Sequence, residues 1–88
     1  MNNPFRQKNA RVALLEALEL AGSYALEESV LHSHCNNMVK PPLSDDEWKD
    51  LVVSCEKSQL IITVPSALDD NLRQFTITER GLAAKRQA

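Results

Sequence analysis

Two histidines and a cysteine stand within four positions, at His32, His34 and Cys35. Imidazole nitrogens and thiolate sulfurs are ligands that zinc prefers in proteins. On a helix, His32 and His34 point to different faces, so only His32 and Cys35, three positions apart, could share one ion. Two ligands do not complete a tetrahedral site. The pattern favours a packed or surface histidine beside a buried cysteine, and we predict no metal site and no cofactor.

The acidic residues fall into short runs, and none of these runs forms a catalytic pattern. Helix capping and turn formation already account for their positions. The main runs are Glu27-Glu28, Asp45-Asp46-Glu47 and Asp69-Asp70. The sequence has no glycine-rich phosphate loop, no nucleophile elbow and no zinc-protease motif. We therefore predict a protein without enzymatic activity.

Length and composition favour one small globular domain. The chain has 88 residues, of which 43% are hydrophobic and 25% are charged. No apolar run approaches the ~20 residues that span a bilayer, and the first residues lack the layout of a signal peptide. Two cysteines are too few to stabilise a small secreted fold. We predict a cytoplasmic protein with no membrane partner, in which Cys35 and Cys55 are reduced and partly buried.

The first half of the sequence predicts two helices joined by a short extended segment. Apolar residues recur at helical spacing from Asn9, and Gly22 is the expected stop. Tyr24, in the link, is expected to pack on the first helix. The apolar face of that helix is predicted at Val12, Leu15, Ala17, Leu18 and Leu20. A second helix is predicted over residues 26–37, with an apolar face at Leu26, Val30, Leu31, Cys35 and Met38.

The third helix has the clearest signals. The prolines at 41 and 42 cannot continue a helix, so a stiff loop precedes it. Ser44 followed by Glu47 is a capping box. The buried face is predicted at Trp48, Leu51, Val52 and Cys55, and the outer face at Asp45, Lys49, Asp50, Val53, Glu56 and Lys57.

Two strands and a short helix complete the chain. Residues 60–64 and 72–78 read as strands around a polar turn, and Thr78 is well placed to cap a last helix that runs through Lys85. The order is that of an α+β winged helix-turn-helix, with three helices, a two-stranded wing hairpin and a short C-terminal helix. We predict an N-terminal arm over residues 1–8, ordered on contact, and a single winged-helix domain over residues 9–86.

Several segments resemble small winged-helix proteins. Residues 75–82, which read FTITERGL, are similar to the "LTERGL" junction of bacterial ArsR, MarR and PadR regulators. Residues 22–32 and 56–64 resemble segments of ArsR-like proteins found in transposable phages and prophages, with the patterns "GY…ESLLH" and "LEEQGLVTV". The resemblance covers roughly residues 9–86. It implies a winged-helix fold and a DNA-binding or transcription-associated role of phage or prophage type.

The chain departs from this family at two points. Metal-sensing ArsR proteins carry a Cys-Val-Cys type motif on the third helix, whereas Cys55 stands alone here, so metal sensing does not carry over. Residues 44–57 also hold five acids and two bases, a local charge of 2 − 5 = −3. Phosphate contacts require cations, so this acidity opposes insertion into a DNA groove.

The basic residues that remain are the candidates for DNA contact. They gather near the two ends of the sequence, with one on the wing and one on the third helix. The candidates are Arg6, Lys8, Arg11, Lys49, Arg73, Arg80, Lys85 and Arg86. The alternative is that these charges only solvate a protein-binding surface.

Relatives also imply a homodimer through the first and last helices. The interface candidates are Leu14, Leu18, Leu82 and Ala83. A core this small contributes little net stability, which favours further burial in a dimer. Two hypotheses remain. One is a winged-helix protein that binds double-stranded DNA, and the other is an interaction module whose acidic third helix binds a basic protein surface.

Overall fold

Four helices and three short strands form the part of the chain that the structure, a computed structural model, describes: residues 4–65, 68 and 72–87. In chain order these are α1 (Pro4–Ala21), β1 (Leu26–Glu27), α2 (Glu28–Met38), α3 (Asp45–Lys57), β2 (Ile61–Pro65), β3 (Arg73–Ile77) and α4 (Glu79–Gln87). The predicted α+β class is confirmed. Residues 1–3 and most of the polar turn at 66–71 lie outside the described residues, so the predictions made for them stay predictions.

The sheet has three strands, where a two-stranded hairpin was predicted. The strand order is β1-β3-β2, and both pairs of neighbouring strands are antiparallel. Phe75 of the central strand β3 lies opposite Leu26 of β1 on one side and opposite Thr63 of β2 on the other. The second helix was predicted to start at Leu26, but it starts at Glu28. Leu26 and Glu27 pair with β3 instead, and Leu26 packs against the core. A strand of two residues is too short to show an alternating pattern of apolar and polar residues in the sequence.

Helix α1 contacts α2, α3, α4 and β3. Its inner face includes Leu14 and Leu18, both with no exposed surface. The helix begins at Pro4, five residues before the predicted Asn9, and proline suits a first helical turn because its missing amide proton would have no partner there. Residues 4–8 are therefore helical, and contact-induced ordering of the arm stays a prediction.

Four residues predicted to be packed are exposed over more than half of their surface: Leu20, Tyr24, Val30 and Met38. Two positions along a helix turn a side chain by about 200°, which carries Leu20 to the side opposite Leu18.

Gly22 ends α1 as predicted. Its φ is 63°, and its amide donates to the Leu18 and Glu19 carbonyls at 3.2 and 3.1 Å.

The capping box at the start of α3 is confirmed. The Ser44 hydroxyl accepts from the Glu47 amide at 3.1 Å, and the Glu47 carboxylate accepts from the Ser44 amide at 3.0 Å. The predicted inner face is buried as well, at Trp48, Leu51, Val52 and Cys55.

Across the described residues, no helix is long and apolar enough to cross a membrane.

The end of α3 is joined to the start of α4 through one carbonyl group. Leu60 O accepts from the Thr78 amide at 3.1 Å, and the Thr78 hydroxyl shares its proton between Gln59 O at 2.7 Å and Leu60 O at 3.0 Å. The same hydroxyl accepts from the Gly81 amide at 3.0 Å, so Thr78 caps α4 as predicted. A Cβ on Gly81 would lie 2.3 Å from Leu60 O and 2.8 Å from Ile77 Cγ1. Glycine is required at 81 by this close approach.

The two glycines of the chain give a matched test of that contact. Gly81→Ala forces a methyl group against a backbone carbonyl, and we expect a loss of about 3 kcal/mol in the free energy of unfolding. Gly22→Ala meets no atom within 4 Å, and its cost is that of a left-handed backbone, about 1 kcal/mol. Urea unfolding of both variants measures the difference. Equal losses would refute the proposed clash at Gly81.

Candidate nucleic-acid interface

The outward face of α3 carries both signs of charge. Asp46, Lys49, Asp50, Val53 and Lys57 are exposed, while the opposite face is buried in the core. This agrees with the predicted outer face, except that Glu56 is only half-exposed. This exposed ridge is the surface that the sequence-based hypothesis of DNA binding requires to face a groove.

Glu47, one of the acids at the start of α3, is paired with a base from α1. Arg6 Nε donates to Glu47 Oε2 at 2.7 Å, and Arg6 Nη2 donates to Oε1 at 3.2 Å. Arg6 Nη2 also donates to the Pro42 carbonyl at 3.0 Å. The hydrogen bond from Arg6, helped by the Ser44 amide, lowers the pKa of Glu47 to about 2, and the same pair raises the pKa of Arg6. Glu47 is therefore ionised and compensated.

The charge that α3 offers to solvent is smaller than the sequence count. Glu47 is balanced by Arg6. Glu56 is half-buried, and it accepts from the Thr63 hydroxyl at 2.6 Å. That bond leaves the charge of Glu56 in place, because a hydroxyl is neutral. With the Arg6–Glu47 pair counted as neutral, the helix keeps four acids (Asp45, Asp46, Asp50 and Glu56) against two lysines (Lys49 and Lys57), or 2 − 4 = −2. The acidity that opposed DNA binding is thus reduced from −3 to −2.

A polar cleft of about 470 Å³ lies between α2, α3 and the start of β3. Its lining consists of Glu28, Ser29, His32, Asp45, Trp48, Lys49 and Arg73. Glu28 Oε2 accepts from Arg73 Nη2 at 2.5 Å and from Trp48 Nε1 at 3.1 Å. The His32 ring stacks on Trp48, with centroids 4.5 Å apart and planes 8° apart. One carboxylate thus joins both helices to the sheet.

Four of the eight candidate DNA contacts are bonded within the chain. Arg6 bonds to Glu47 and Arg73 to Glu28, while Arg80 donates to the Gln59 side chain at 3.2 Å and Lys85 pairs with Glu19. The side chains of the other four make no hydrogen bond or ion pair with any residue that the structure describes: Lys8, Arg11, Lys49 and Arg86. These four need no exchange of partners to reach a phosphate.

The structure brings the bases of both chain ends together. Lys8 and Arg11 lie beside the last turn of α4, where they line a groove of about 320 Å³ with Val12, Leu15, Ala84 and Gln87. Arg86 is exposed on that same turn. Two groups that are far apart in sequence therefore belong to neighbouring helices.

The dimer candidates divide into two pairs. Leu14 and Leu18 have no exposed surface, because both face the core of their own chain. Leu82 is half-exposed and Ala83 is exposed on α4. Only the α4 pair offers surface to a second copy.

The histidines and cysteines point to different surroundings. His32 stacks on Trp48, whereas Cys35 Sγ faces the Ala10 carbonyl at 4.0 Å. No group of three or more potential metal ligands occurs among the described residues. Burial raises the pKa of Cys35 to about 12 and that of Cys55 to about 11. Both cysteines have free thiols in the protein interior.

Sequence reasoning missed Glu28 as a member of this interface. It was predicted only as an acid that suits the first turn of a helix. Arg73 lies 45 positions away along the chain. No short-range spacing could have indicated this pair. A prediction that β1 pairs with β3 would have indicated it, because the strand register, continued by one residue, brings Glu28 level with Arg73.

The Arg6 pair gives a prediction for acid stability. The pKa of Glu47 falls from its ordinary 4.5 to about 2 on folding, so its contribution is complete above pH 4.5 and is lost as the pH falls towards 2. Glu47→Gln removes the charge and preserves the capping box. Urea unfolding across this range should show a shallower pH dependence for that variant.

Asp46→Asn is the control, since it removes the neighbouring carboxylate, which no described arginine contacts. It should keep the slope of the natural protein between pH 4.5 and 2. Parallel profiles for Glu47→Gln and the natural protein would contradict the role of the Arg6 pair.

The cysteines give a prediction for alkaline conditions. Because burial raises both thiol pKa values from 9.0, their contribution to stability is complete below pH 9 and is lost as the pH rises towards 11 to 12. Native protein should resist a thiol-specific disulfide reagent at mildly alkaline pH, and guanidinium-unfolded protein should react at both sites. Rapid labelling of the native protein would contradict the burial of the thiols.

Comparison with known proteins identifies the fold. No protein-family model matches the sequence, and no curated protein matches it. The PcaV transcriptional regulator from Streptomyces coelicolor, in complex with its natural ligand, is a similar solved structure. It has 20% identity and a TM-score of 0.70, over 86% of this chain and 48% of that one.

Two further structures agree. MepR from S. aureus in its DNA-binding conformation has 15% identity and a TM-score of 0.73, over 90% of this chain and 53% of that one. A mutant of ZitR from Lactococcus lactis has 12% identity and a TM-score of 0.58, over 85% and 47%. The chain spans about half the length of each of these proteins. At these identities the likeness shows the fold alone, which is the α+β fold of winged-helix regulators.

Proposed function

We propose that this chain is a winged-helix protein that binds double-stranded DNA or acts with a transcription complex, without enzymatic activity. The observation that carries the proposal is the match of 90% of the chain to MepR in its DNA-binding conformation. The likeness to the PcaV transcriptional regulator supports the same reading. The finer assignment to a phage or prophage type, and to the cytoplasm, rests on the resemblance and composition of the sequence.

The charges of α3 in the structure favour its docking on DNA more than the charge counted from the sequence does. With Glu47 compensated by Arg6, the net charge of the helix falls from −3 to −2. Lys49 and Lys57 lie on its outer face. An aspartate on that face is compatible with the DNA major groove, because it can accept from the amino group of cytosine. Phosphate contacts then come first from the four bases whose side chains form no hydrogen bond or ion pair with the described residues: Lys8, Arg11, Lys49 and Arg86.

We also propose that the active species is a homodimer built on α4. Leu82 and Ala83 are the residues of the predicted interface that reach the surface. A dimer carries two DNA-binding domains, and each binds one half-site. Binding at both half-sites raises the affinity without any additional contact within either domain.

A second candidate function is favoured by exposed apolar residues. Val53 is 45% exposed in the middle of the outer face of α3, and Ile62 is 54% exposed on β2. An apolar residue flanked by Asp46 and Asp50 fits a partner helix that carries lysines around an apolar stripe. In this alternative, α3 binds a basic protein surface and DNA affinity is low.

A titration of the protein with mixed-sequence duplex DNA at low salt, repeated at higher salt, separates the two functions. Micromolar binding that weakens steeply with salt supports DNA binding, because counterions are released from neutralised phosphates. An absence of binding at low salt excludes it and favours the protein partner. Analytical ultracentrifugation of the same sample tests the dimer.

Lys49 gives a residue-level prediction. Lys49→Gln should weaken duplex binding severalfold at low salt and reduce the slope of log affinity against log salt by about 0.9, the value for one lost phosphate contact. Lys40→Gln is the matched control, since Lys40 is also exposed and lies in the loop before α3. Equal losses in the two variants would show that only net charge matters and that α3 does not face DNA.

A further inference from the structure

The pairing of β1 with β3 brings the acidic residue Glu28 of α2 beside the basic residue Arg73 of the wing. Leu26 lies opposite Phe75 and Glu27 opposite Gln74. Continued by one residue, this register places Glu28 level with Arg73, at the point where the chain turns into α2. The contact between the two side chains is therefore set by the backbone of the sheet and does not depend on a chance approach of two long side chains.

Arg73 is held on two sides. Its Nη2 donates to Glu28 Oε2 at 2.5 Å, and its guanidinium carbon lies 5.6 Å from the centre of the Phe75 ring. The Glu28 carboxylate is itself held, because the same oxygen accepts from Trp48 Nε1 at 3.1 Å. The indole in turn stacks on His32. The carboxylate is thus positioned before any ligand arrives.

The pair remains open to exchange with an anion. The Arg73 side chain is 44% exposed and the Glu28 side chain 32%, and ion pairs at such exposure are weak because water screens them. The cleft around them also contains Asp45 and Lys49. Its lining carries two acids and two bases, so the charge of Glu28 cancels a cation that a phosphate would otherwise meet.

We infer that Glu28 is a positioning residue that withholds the charge of Arg73 from phosphate diesters. The inference rests on the proposed function and assigns a mechanism to it. When the wing approaches DNA, Arg73 either leaves Glu28 or binds the phosphate beside the Glu28 carboxylate, whose negative charge repels it. Both routes cost free energy, and this cost lowers the affinity for every DNA sequence. Weak nonspecific binding then leaves a larger share of the affinity to contacts with bases.

Two neighbouring glutamates provide the test. Glu28→Gln removes the charge but retains an amide oxygen that can accept from Trp48, so the fold is preserved. Glu27→Gln makes the same change of net charge at the adjacent residue, whose carboxylate forms no hydrogen bond or ion pair with the described part of the chain. Duplex DNA binding is measured for both variants at several salt concentrations, and elution from immobilised heparin is measured in parallel.

We expect Glu28→Gln to bind mixed duplex DNA about two- to fivefold more tightly than Glu27→Gln, the range that corresponds to a weak ion pair. The advantage should shrink as salt rises, since its origin is electrostatic. In an Arg73→Gln background the two glutamate variants should bind alike. Near-ultraviolet circular dichroism of Trp48 checks that both variants keep the native packing.

The outcomes separate the inference from the function on which it rests. If DNA binds but both variants have equal affinity, or if the difference survives Arg73→Gln, the role of Glu28 is refuted and DNA binding stands. If no variant binds DNA while Glu28→Gln alone elutes later from heparin, the withholding of Arg73 is supported and the proposed function is refuted. Failure of both measurements refutes both.

Discussion

The carbonyl group of Leu60 is the contact on which the arrangement of the other elements depends. It lies between α3 and β2, it accepts two hydrogen bonds from Thr78, and it lies against Gly81 at the start of α4. The direction of α3, the first residue of the hairpin and the origin of the last helix are therefore fixed at one point. Because β3 ends at Ile77, directly before Thr78, the same contact also sets the position of the sheet relative to α3.

Local signals in the sequence predicted the parts of the fold that depend on neighbouring residues. The Ser44 capping box, the Gly22 helix end and the Thr78 cap each involve groups within four positions of one another, and the structure shows all three. The buried face of α3 was predicted for the same reason, since helical spacing alone determines which residues share a face. Strand β1 was missed because two residues carry no alternating pattern, and its partner lies far along the chain.

The charges of the candidate interface were the least predictable feature. A count along α3 treats every acid as available, but Glu47 is neutralised by a residue 41 positions earlier and Arg73 is held by one 45 positions earlier. The first contact depends on the packing of α1 against α3 and the second on the pairing of β1 with β3, neither of which sequence spacing contains. The count therefore overstated the acidity of α3, and the list of basic residues overstated the number of free cations.

These two pairs act on DNA affinity in opposite directions. Arg6 removes a negative charge from the edge of α3, which favours approach of a phosphate, whereas Glu28 removes a positive charge from the turn end of the wing. The four bases with bonded side chains and the four whose side chains bond to none of the described residues thus form two classes, although they look equivalent in the sequence. A chain that reads as too acidic for DNA can bind it if the acids are compensated within the fold. Its affinity then depends on how readily each bonded arginine exchanges its carboxylate for a phosphate.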